Sequence, residues 1–428
     1  MGVRMKEVFK LTGFAFDHAV RALASVMPAG TAADKGLSDY FRAEPRLGST
    51  DRAVIAETVY AVLRNRRSLA GAAGSDFPRD LALAALVRVR GMNLKQFDYL
   101  LRVGDAELIS RIKAFAPNDV PAPVRLDLPD WLWARMVEER GVAGAEALAR
   151  ALKGAAPLDL RVNLIKAGRD EVMAQLAASG IAAVATPYSP YGLRLTGKPA
   201  LQRHPLFLSG AFEVQDEGSQ LLAELVAPKR GEMVADFCAG AGGKTLALGA
   251  LMRSSGRLYA FDISAARLTK FKPRLARSGL SNVHPVRIES ENDIRIKRLA
   301  GKLDRVLVDA PCSGLGTLRR NPELKWRQNE SDIAELAAKQ LAILVAAARL
   351  VKAGGRLVYA TCSLLAAENQ AVVARFVETH PEFEPGDAVA ILARRGIALA
   401  SASTPALELL PQVHGTDGFF AVVLERTR

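Results

Sequence analysis

Residues 233–245 read Met233-Val234-Ala235-Asp236-Phe237-Cys238-Ala239-Gly240-Ala241-Gly242-Gly243-Lys244-Thr245. An apolar run ends in a cluster of three glycines, and the pattern beyond it is helical. Glycines between a strand and a helix let the chain turn tightly and approach a ligand with no Cβ in the way. Outward from this stretch the order strand, helix, strand, helix repeats. Residues 257–262 (RLYAFD), 305–310 (RVLVDA) and 356–361 (RLVYAT) are nearly continuous apolar runs. Strands buried on both faces read this way, so the spacing predicts an α/β fold from about Gly231 onward, a doubly wound, mainly parallel sheet of the Rossmann type. The tail, HGTDGFFAVVLE (414–425), reads as a turn followed by a last strand, antiparallel and at the sheet edge.

Two familiar phosphate loops can be set against residues 236–245. A Walker A loop needs glycine five residues before the glycine of Gly-Lys-Thr, where this chain has Cys238; a strict dinucleotide fingerprint needs a third glycine where Thr245 stands. Both fit poorly. The second strand ends at Asp262, 22 residues beyond Gly240, which places a carboxylate for the hydroxyls of a bound ribose. A loop without full phosphate equipment, joined to a ribose carboxylate, favours an adenosyl ligand that lacks phosphates, and S-adenosylmethionine is the candidate. Simpler readings exist for two residues: Asp236 as a cap of the turn, and Lys244 as a solvated lysine at a helix start.

Composition bounds the rest. The chain has 428 residues, 58 Lys plus Arg against 45 Asp plus Glu, and a net charge of +13, long enough for roughly two to four domains. Three distant cysteines exclude a disulfide scaffold. With five scattered histidines they offer no zinc-ligand spacing, so no metal is expected and a reducing compartment is the natural setting. The start, MGVRMKEVFKLTGFAF, lacks the apolar stretch of a signal peptide, and no run approaches the roughly 18 apolar residues of a membrane span. The expectation is a soluble cytoplasmic monomer with no membrane partner.

The positive charge is uneven. Residues 251–327 carry 17 basic and 7 acidic side chains, against 22 and 18 in residues 1–150. Arg267, Lys270, Lys272, Arg274 and Arg277 form one cluster; Arg319, Arg320, Lys325 and Arg327, with Trp326 among them, form another. Such clusters suit a phosphate-lined surface beside a stacking ring. For Arg267 to Arg277 a solvated helix face is an equal reading. The second cluster follows a candidate active-site strand, which favours RNA contact there.

The N-terminal part reads as helices. In residues 51–67, DRAVIAETVYAVLRNRR, one face gathers Val54, Ile55, Val59, Val62 and Leu63, with Thr50 able to cap the start. The closing Arg64, Arg66 and Arg67 suit a helix C-terminus as well as RNA. A proline-marked stretch, FAPNDVPAPVRLDLPDW, predicts a boundary near residues 115–130. From Leu158 the texture changes to short β-prone pieces, LDLRVNL, GIAAVATPY and GLRLTG, around a helix near residues 169–179, which indicates a small α+β domain.

The sharper chemical signal is a pair of thiols. Asp309-Ala310-Pro311-Cys312-Ser313-Gly314 and Thr361-Cys362-Ser363 each end a predicted buried strand, where open α/β sheets place their ligands. The two strands would be neighbours, and the glycine-loop strand would border the first of them. A single cysteine is usually an inert small hydrophobe, and Cys238 keeps that reading as packing in the loop. Two at equivalent strand ends, one with Asp309 three residues before it, fit a specific chemistry. Carbon 5 of a pyrimidine is a poor nucleophile until a thiolate adds at carbon 6. A carboxyl near ring nitrogen 3 assists, and a base must then remove the carbon 5 proton.

At these residues the sequence resembles the Sun/Nop-type RNA (cytosine-5) methyltransferases. The resembling motifs are CAGAGGKT, DAPCSGLGTLRRNPELKW, YATCSLLAAENQ and, ahead of the domain, VQDEGSQ at 214–220. The N-terminal helices resemble the NusB-like RNA-binding domain of bacterial members acting on small-subunit ribosomal RNA. The resemblance implies a class I methyltransferase sheet over residues 226–428, a NusB-like domain over 1–125 and a small α+β segment over 126–225. It implies Cys362 as nucleophile, Cys312 in product release, and Asp309 near the cytosine and the cofactor. Cys238, Ala239, Gly240, Ala241, Gly242, Gly243, Lys244 and Asp262 would hold S-adenosylmethionine, with Lys244 also positioning the reacting groups. RNA, ribosomal or within an assembling small subunit, would be the partner.

This chain departs from the family pattern in having Gly240-Ala241 where the usual loop has Ala-Pro. The acidic residue expected after the third strand falls on Glu289, with Asp293 as the second choice. Three rival readings remain at this point. They are an RNA amino-methyltransferase, which would carry an aromatic after Asn/Asp-Pro-Pro; a P-loop hydrolase; and a non-catalytic RNA-binding or ribosome assembly factor.

Overall fold

The computed structural model describes residues 11–28, 32–399 and 405–427; the first ten residues of the start quoted above lie outside them. The chain divides into two compact units. One comprises the residues up to Gly154 together with Leu318–Asn329, the other Ala155–Thr317 together with Glu330–Arg428.

The first unit is helical. Helices Gly13–Val26, Ser49–Arg64, Arg66–Ala73, Pro78–Arg88 and Asp105–Ala114 share one apolar core; Ile55, Val59, Val62 and Leu63 are part of it as their spacing requires, and Val54 is buried as well. Thr50 is not the cap. The helix begins at Ser49 on Gly48, whose N–H donates to the Asp51 carboxylate at 3.2 Å. The run to Arg67 is also broken, at Asn65 (φ −120°), whose N–H donates to the carbonyls of Ala61 and Val62. Arg64 then donates to the Arg319 carbonyl and Arg67 to the Leu128 carbonyl and to Asp130, so two of the three closing cations are tied inside the unit.

The second unit holds two sheets. The small one contains β1 (Leu158–Val162), β2 (Ala183–Ala185), β3 (Gly192–Leu195) and β4 (Phe212–Val214), antiparallel in the order β2-β3-β1-β4, with helix Arg169–Ala178. β4 is three residues long and leaves no readable pattern in the sequence.

The large sheet has β5 (Met233–Asp236), β6 (Arg257–Asp262), β7 (Val283–Arg287), β8 (Leu303–Asp309), β9 (Val351–Thr361), β10 (Phe383–Gly386), β11 (Leu407–Leu409) and β12 (Phe419–Arg426). Its order is β10-β12-β9-β8-β5-β6-β7, with β11 also on β12. β5 to β9 run parallel as the apolar runs predict. β12 is antiparallel but not at the edge: it lies between β9 and β10. The strand outside it carries Pro385 and Gly386, which argue against a strand in sequence. β5 lies between β6 and β8, so the strand order reverses at its carboxyl end, where open sheets bind ligands. β8 and β9 pair in parallel with a register shift between Leu303 and Arg305, beyond which Asp309 lies opposite Ala360.

Candidate active site

The glycine loop closes β5 and starts helix Gly243–Leu251. Gly240 (φ 57°) and Gly242 (φ 81°) adopt the left-handed conformation that glycine tolerates. A Cβ on Gly242 would lie 2.0 Å from the Phe271 ring, whereas on Gly240 it would meet nothing within 4 Å. Gly240 therefore faces open space, a cleft of about 850 Å³.

Asp262 shapes this loop directly. Its Oδ2 accepts the Gly240 N–H at 2.8 Å and its Oδ1 the Ser264 N–H at 2.7 Å. Arg274, from the cluster left between solvent and RNA, donates to the Ala241 carbonyl at 2.7 Å and to Glu213 of β4 at 2.9 and 3.0 Å, and Arg277 donates to the same carboxylate. The buried Arg161 of β1 donates to Gln215 at 2.6 Å and to the Gly243 carbonyl at 2.5 Å. The small sheet thus holds the loop. Sequence reasoning missed Arg161 and Glu213; the polar run at 214–220 was their visible trace.

Beneath the loop, Asp236 accepts a hydrogen bond from Thr245 Oγ1 at 2.7 Å and is fully enclosed. Burial pushes its carboxyl up to about 7; the charges of Asp309 and Asp262 add to this, against the Thr245 bond and Lys244. Cys238 lines the cleft, and burial pushes its thiol well above the usual range. Glu289 is exposed and lines the cleft. Asp293 instead accepts the N–H groups of Glu289 and Arg295 and pairs with the Arg295 guanidinium. Those bonds to Arg295 hold its carboxyl below the ordinary range.

The two thiols meet. Cys362 follows β9 directly, Cys312 lies three residues beyond β8, and their sulfurs are 3.3 Å apart on the same cleft, both half-buried and free. The contact with Cys362 raises the Cys312 thiol well above its ordinary range, with burial and the charge of Glu368 acting the same way. Lys244 reaches Asp309 at 2.7 Å. Burial would discharge this lysine, but the charge of Asp309 and its hydrogen bond, with Cys362 and Asp236, outweigh burial and hold it above the usual lysine value.

The second basic cluster lies elsewhere, in the helical unit. Trp326 Nε1 donates to the Leu63 carbonyl at 2.8 Å, Lys325 to the Arg64 carbonyl at 3.0 Å, and Glu323 accepts the Ala33 N–H at 3.3 Å. Arg319 and Lys325 are buried, and Arg320 and Arg327 half-buried. Among the described residues no group of His, Cys, Asp and Glu is arranged to hold a metal ion, and no helix is long and apolar enough to cross a membrane.

A doubly wound sheet with a glycine loop at the point of strand reversal, a carboxylate ending the next strand, and an antiparallel β12 inserted beside β9 defines the Rossmann-like methyltransferase fold. Comparison with known proteins agrees. The family described as 16S rRNA methyltransferase RsmB/F matches residues 223–425, and the RsmF/B-like ferredoxin-like domain matches residues 128–202. The chain belongs to this Sun/RsmB-type family.

It is 38% identical over 304 residues to the probable ribosomal RNA small subunit methyltransferase B of Synechocystis sp., a match covering 70% of this chain and 66% of that protein. To the Bacillus subtilis protein of the same description it is 35% identical over 306 residues, covering 68% and 65%. The matched stretch is just under two thirds of these relatives' length. Among solved structures, a methyltransferase homolog protein from Pyrococcus horikoshii superposes with a TM-score of 0.61 at 30% identity, covering 73% of this chain and 100% of that one. PH0851 does so with a TM-score of 0.77 at 26% identity, covering 97% and 99%.

Proposed function

We propose that this protein transfers a methyl group from S-adenosylmethionine to carbon 5 of a cytosine in RNA, that of the small ribosomal subunit, through a covalent bond from Cys362 to the base. It would act in the cytoplasm, with residues 1–125 and 126–225 serving RNA recognition and 226–428 the chemistry. One observation carries the reading: two thiols 3.3 Å apart open into the cleft that the glycine loop faces.

The site suits the cofactor. The cleft runs past Gly240, where a side chain would fill it, to Asp262 and Glu289, so Cys238, Ala239, Gly240, Ala241, Gly242, Gly243 and Lys244 with those two carboxylates would hold an adenosyl group. When bound, S-adenosylmethionine supplies an electrophilic methyl group. The protein's own part begins with the Cys362 thiolate adding to carbon 6, which turns carbon 5 into an enamine-like nucleophile. The Lys244–Asp309 pair, bonded at 2.7 Å, would give a proton to ring nitrogen 3 and so offset the negative charge that the addition develops there. After carbon 5 is methylated, Cys312 takes its proton, the ring double bond re-forms, and Cys362 leaves as thiolate. Once Cys362 is bonded to carbon, the first cause of the raised Cys312 pKa is gone, so Cys312 releases its own proton to solvent more readily and is present as the thiolate that takes the carbon 5 proton. Arg320 and Arg327, which keep part of their surface exposed, are the members of the second cluster proposed to meet RNA.

The test is methyl incorporation into unmodified small-subunit ribosomal RNA followed by nucleoside analysis, with 5-methylcytosine the expected product. Cys362→Ala should abolish both turnover and covalent adducts. Cys312→Ala should accumulate a protein–RNA adduct that survives denaturation. Adducts in the first variant but not the second would reverse the two roles; an amino-methylated nucleoside, or no methylation with RNA binding intact, would replace the reading.

A further inference from the structure

One carboxylate beside the thiols has no place in the chemistry above. Glu368 is fully buried, and among the described residues no cation forms an ion pair with it. Its four recorded partners all donate. Oε1 accepts the Ser313 N–H at 2.8 Å and Gln340 Nε2 at 2.9 Å; Oε2 accepts Ser313 Oγ at 2.5 Å and Ser363 Oγ. Isolated carboxylates are not buried without such compensation, because desolvation costs more than packing returns. Four donors suit the ionised form.

The two serines matter because each follows a thiol. Cys312-Ser313 comes from the turn after β8 and Cys362-Ser363 from the turn after β9. A single carboxylate therefore fastens both turns. Gln340 completes the clamp, its Nε2 donating also to the Pro311 carbonyl at 3.0 Å, and Asn369 donates to the Ser363 carbonyl at 3.1 Å. We infer that Glu368 is the positioning residue of the thiol pair: it holds the two sulfurs together and, by its charge, decides which of them is the anion.

The inference rests on the covalent reading of the site and deepens it. The charges around the pair are asymmetric. Lys244, with Asp309, interacts with Cys362, whose charge helps to keep that lysine protonated. Glu368, beside Tyr359, acts on Cys312 and disfavours its thiolate. Two thiols at 3.3 Å cannot comfortably both ionise. Glu368 bonds the turns of both thiols, and its charge disfavours the Cys312 thiolate, which leaves Cys362 as the anion of the pair. This is the order that the chemistry requires, nucleophile charged first and its neighbour protonated.

The experiment uses the full chain without RNA. Limiting iodoacetamide at neutral pH, read by mass spectrometry as the ratio of modified Cys362 to modified Cys312, reports which sulfur is the anion. The wild-type protein should favour Cys362. Glu368→Gln keeps the shape and removes the charge; it should lower the ratio about tenfold, the effect of one pKa unit, and slow methyl incorporation while cofactor affinity holds. An unchanged ratio together with unchanged turnover overturns the inference. If Glu368→Gln loses cofactor binding, Ser363→Ala decides. It leaves the carboxylate in place, so the ratio should stay in favour of Cys362 while kcat falls, and an undiminished kcat refutes the positioning role. Failure of the covalent reading looks different: Cys362→Ala would still methylate RNA, whatever the alkylation ratio.

Discussion

Two lysines, one in each unit, have left solvent and met opposite fates. Lys244 begins the helix after the glycine loop, and its side chain is 13% exposed. Lys325 sits in the helical unit at 3%. Burial lowers both. For Lys244 the bonded carboxylate of Asp309 reverses the result and the pKa rises. For Lys325 the direct partners are the Arg64 carbonyl and the Trp326 ring at 4.9 Å. Burial dominates there, Asp127 attracts while Lys153 and Arg64 repel, and the ammonium is pulled down to about 7. A contacting carboxylate, rather than depth alone, makes a buried lysine a permanent cation. Lys244 is compensated within bonding distance, whereas Lys325 serves largely as a donor to a carbonyl.

The largest effect expected from breaking this contrast is at Lys244. Lys244→Met strips Asp309 of its bonded cation and leaves the enclosed Asp236 with one fewer opposing charge. Methyl transfer should fall at least about a hundredfold, near 3 kcal/mol of barrier. The fold of the helical unit should be untouched. This can be read separately, because the three tryptophans, Trp131, Trp133 and Trp326, all lie in that unit. Lys325→Met should cost far less activity. Equal losses of turnover in the two variants would remove the distinction drawn here.

The same contrast explains what the sequence could and could not reveal. Apolar runs ending in glycine or in Asp-Ala-Pro-Cys make the parallel sheet and both thiols legible, because burial on two faces leaves an uninterrupted signature. The roles of the cations are not legible. Arg274 stands in a basic run that suits solvent or RNA equally, yet its partners are Glu213, 61 residues away, and a loop carbonyl. Lys325 and Arg319 look like an RNA patch until Leu63, Arg64 and Ala33 are brought against their segment. Such pairings join residues 33 to 290 positions apart, which local periodicity does not record. Glu368 is hidden for the same reason, although the repeated Cys-Ser was visible.

Lys325 also gives the helical unit a pH dependence of definite sign. Its folded value of about 7 lies below the ordinary lysine value of 10.5, so between those limits the unfolded chain holds a proton that the folded chain lacks. Stability of this unit should therefore rise with pH across that window, by at most about 1.4 kcal/mol per pH unit, and be flat below it. Urea midpoints followed by tryptophan fluorescence measure this, and Lys325→Met should flatten the slope. A slope that persists in the variant would place the titration on another group.

The smallest effect sharpens the contrast by reversing its sign. Asp236 has a folded value of about 7 against an ordinary 3.8, so here the folded chain keeps a proton that the unfolded chain releases. Its contribution is full below the lower value and declines as pH rises toward the upper one. Lys244, Asp309 and Asp262 all act on this group, with Cys238 beside it, which is why the slope should be shallower than that of Lys325. The carboxyl geometry suits a proton: Oδ2 is occupied by Thr245, while Oδ1 is enclosed with no partner among the described residues. Asp236→Asn retains an acceptor for Thr245 and cannot ionise. Far-UV circular dichroism of urea unfolding, compared with the wild type between pH 4 and 7, should show the decline removed in the variant and its stability raised at neutral pH. If both buried groups gave slopes of the same sign, desolvation would not be their common cause, and the comparison of the two units would have to be rebuilt on their neighbours alone.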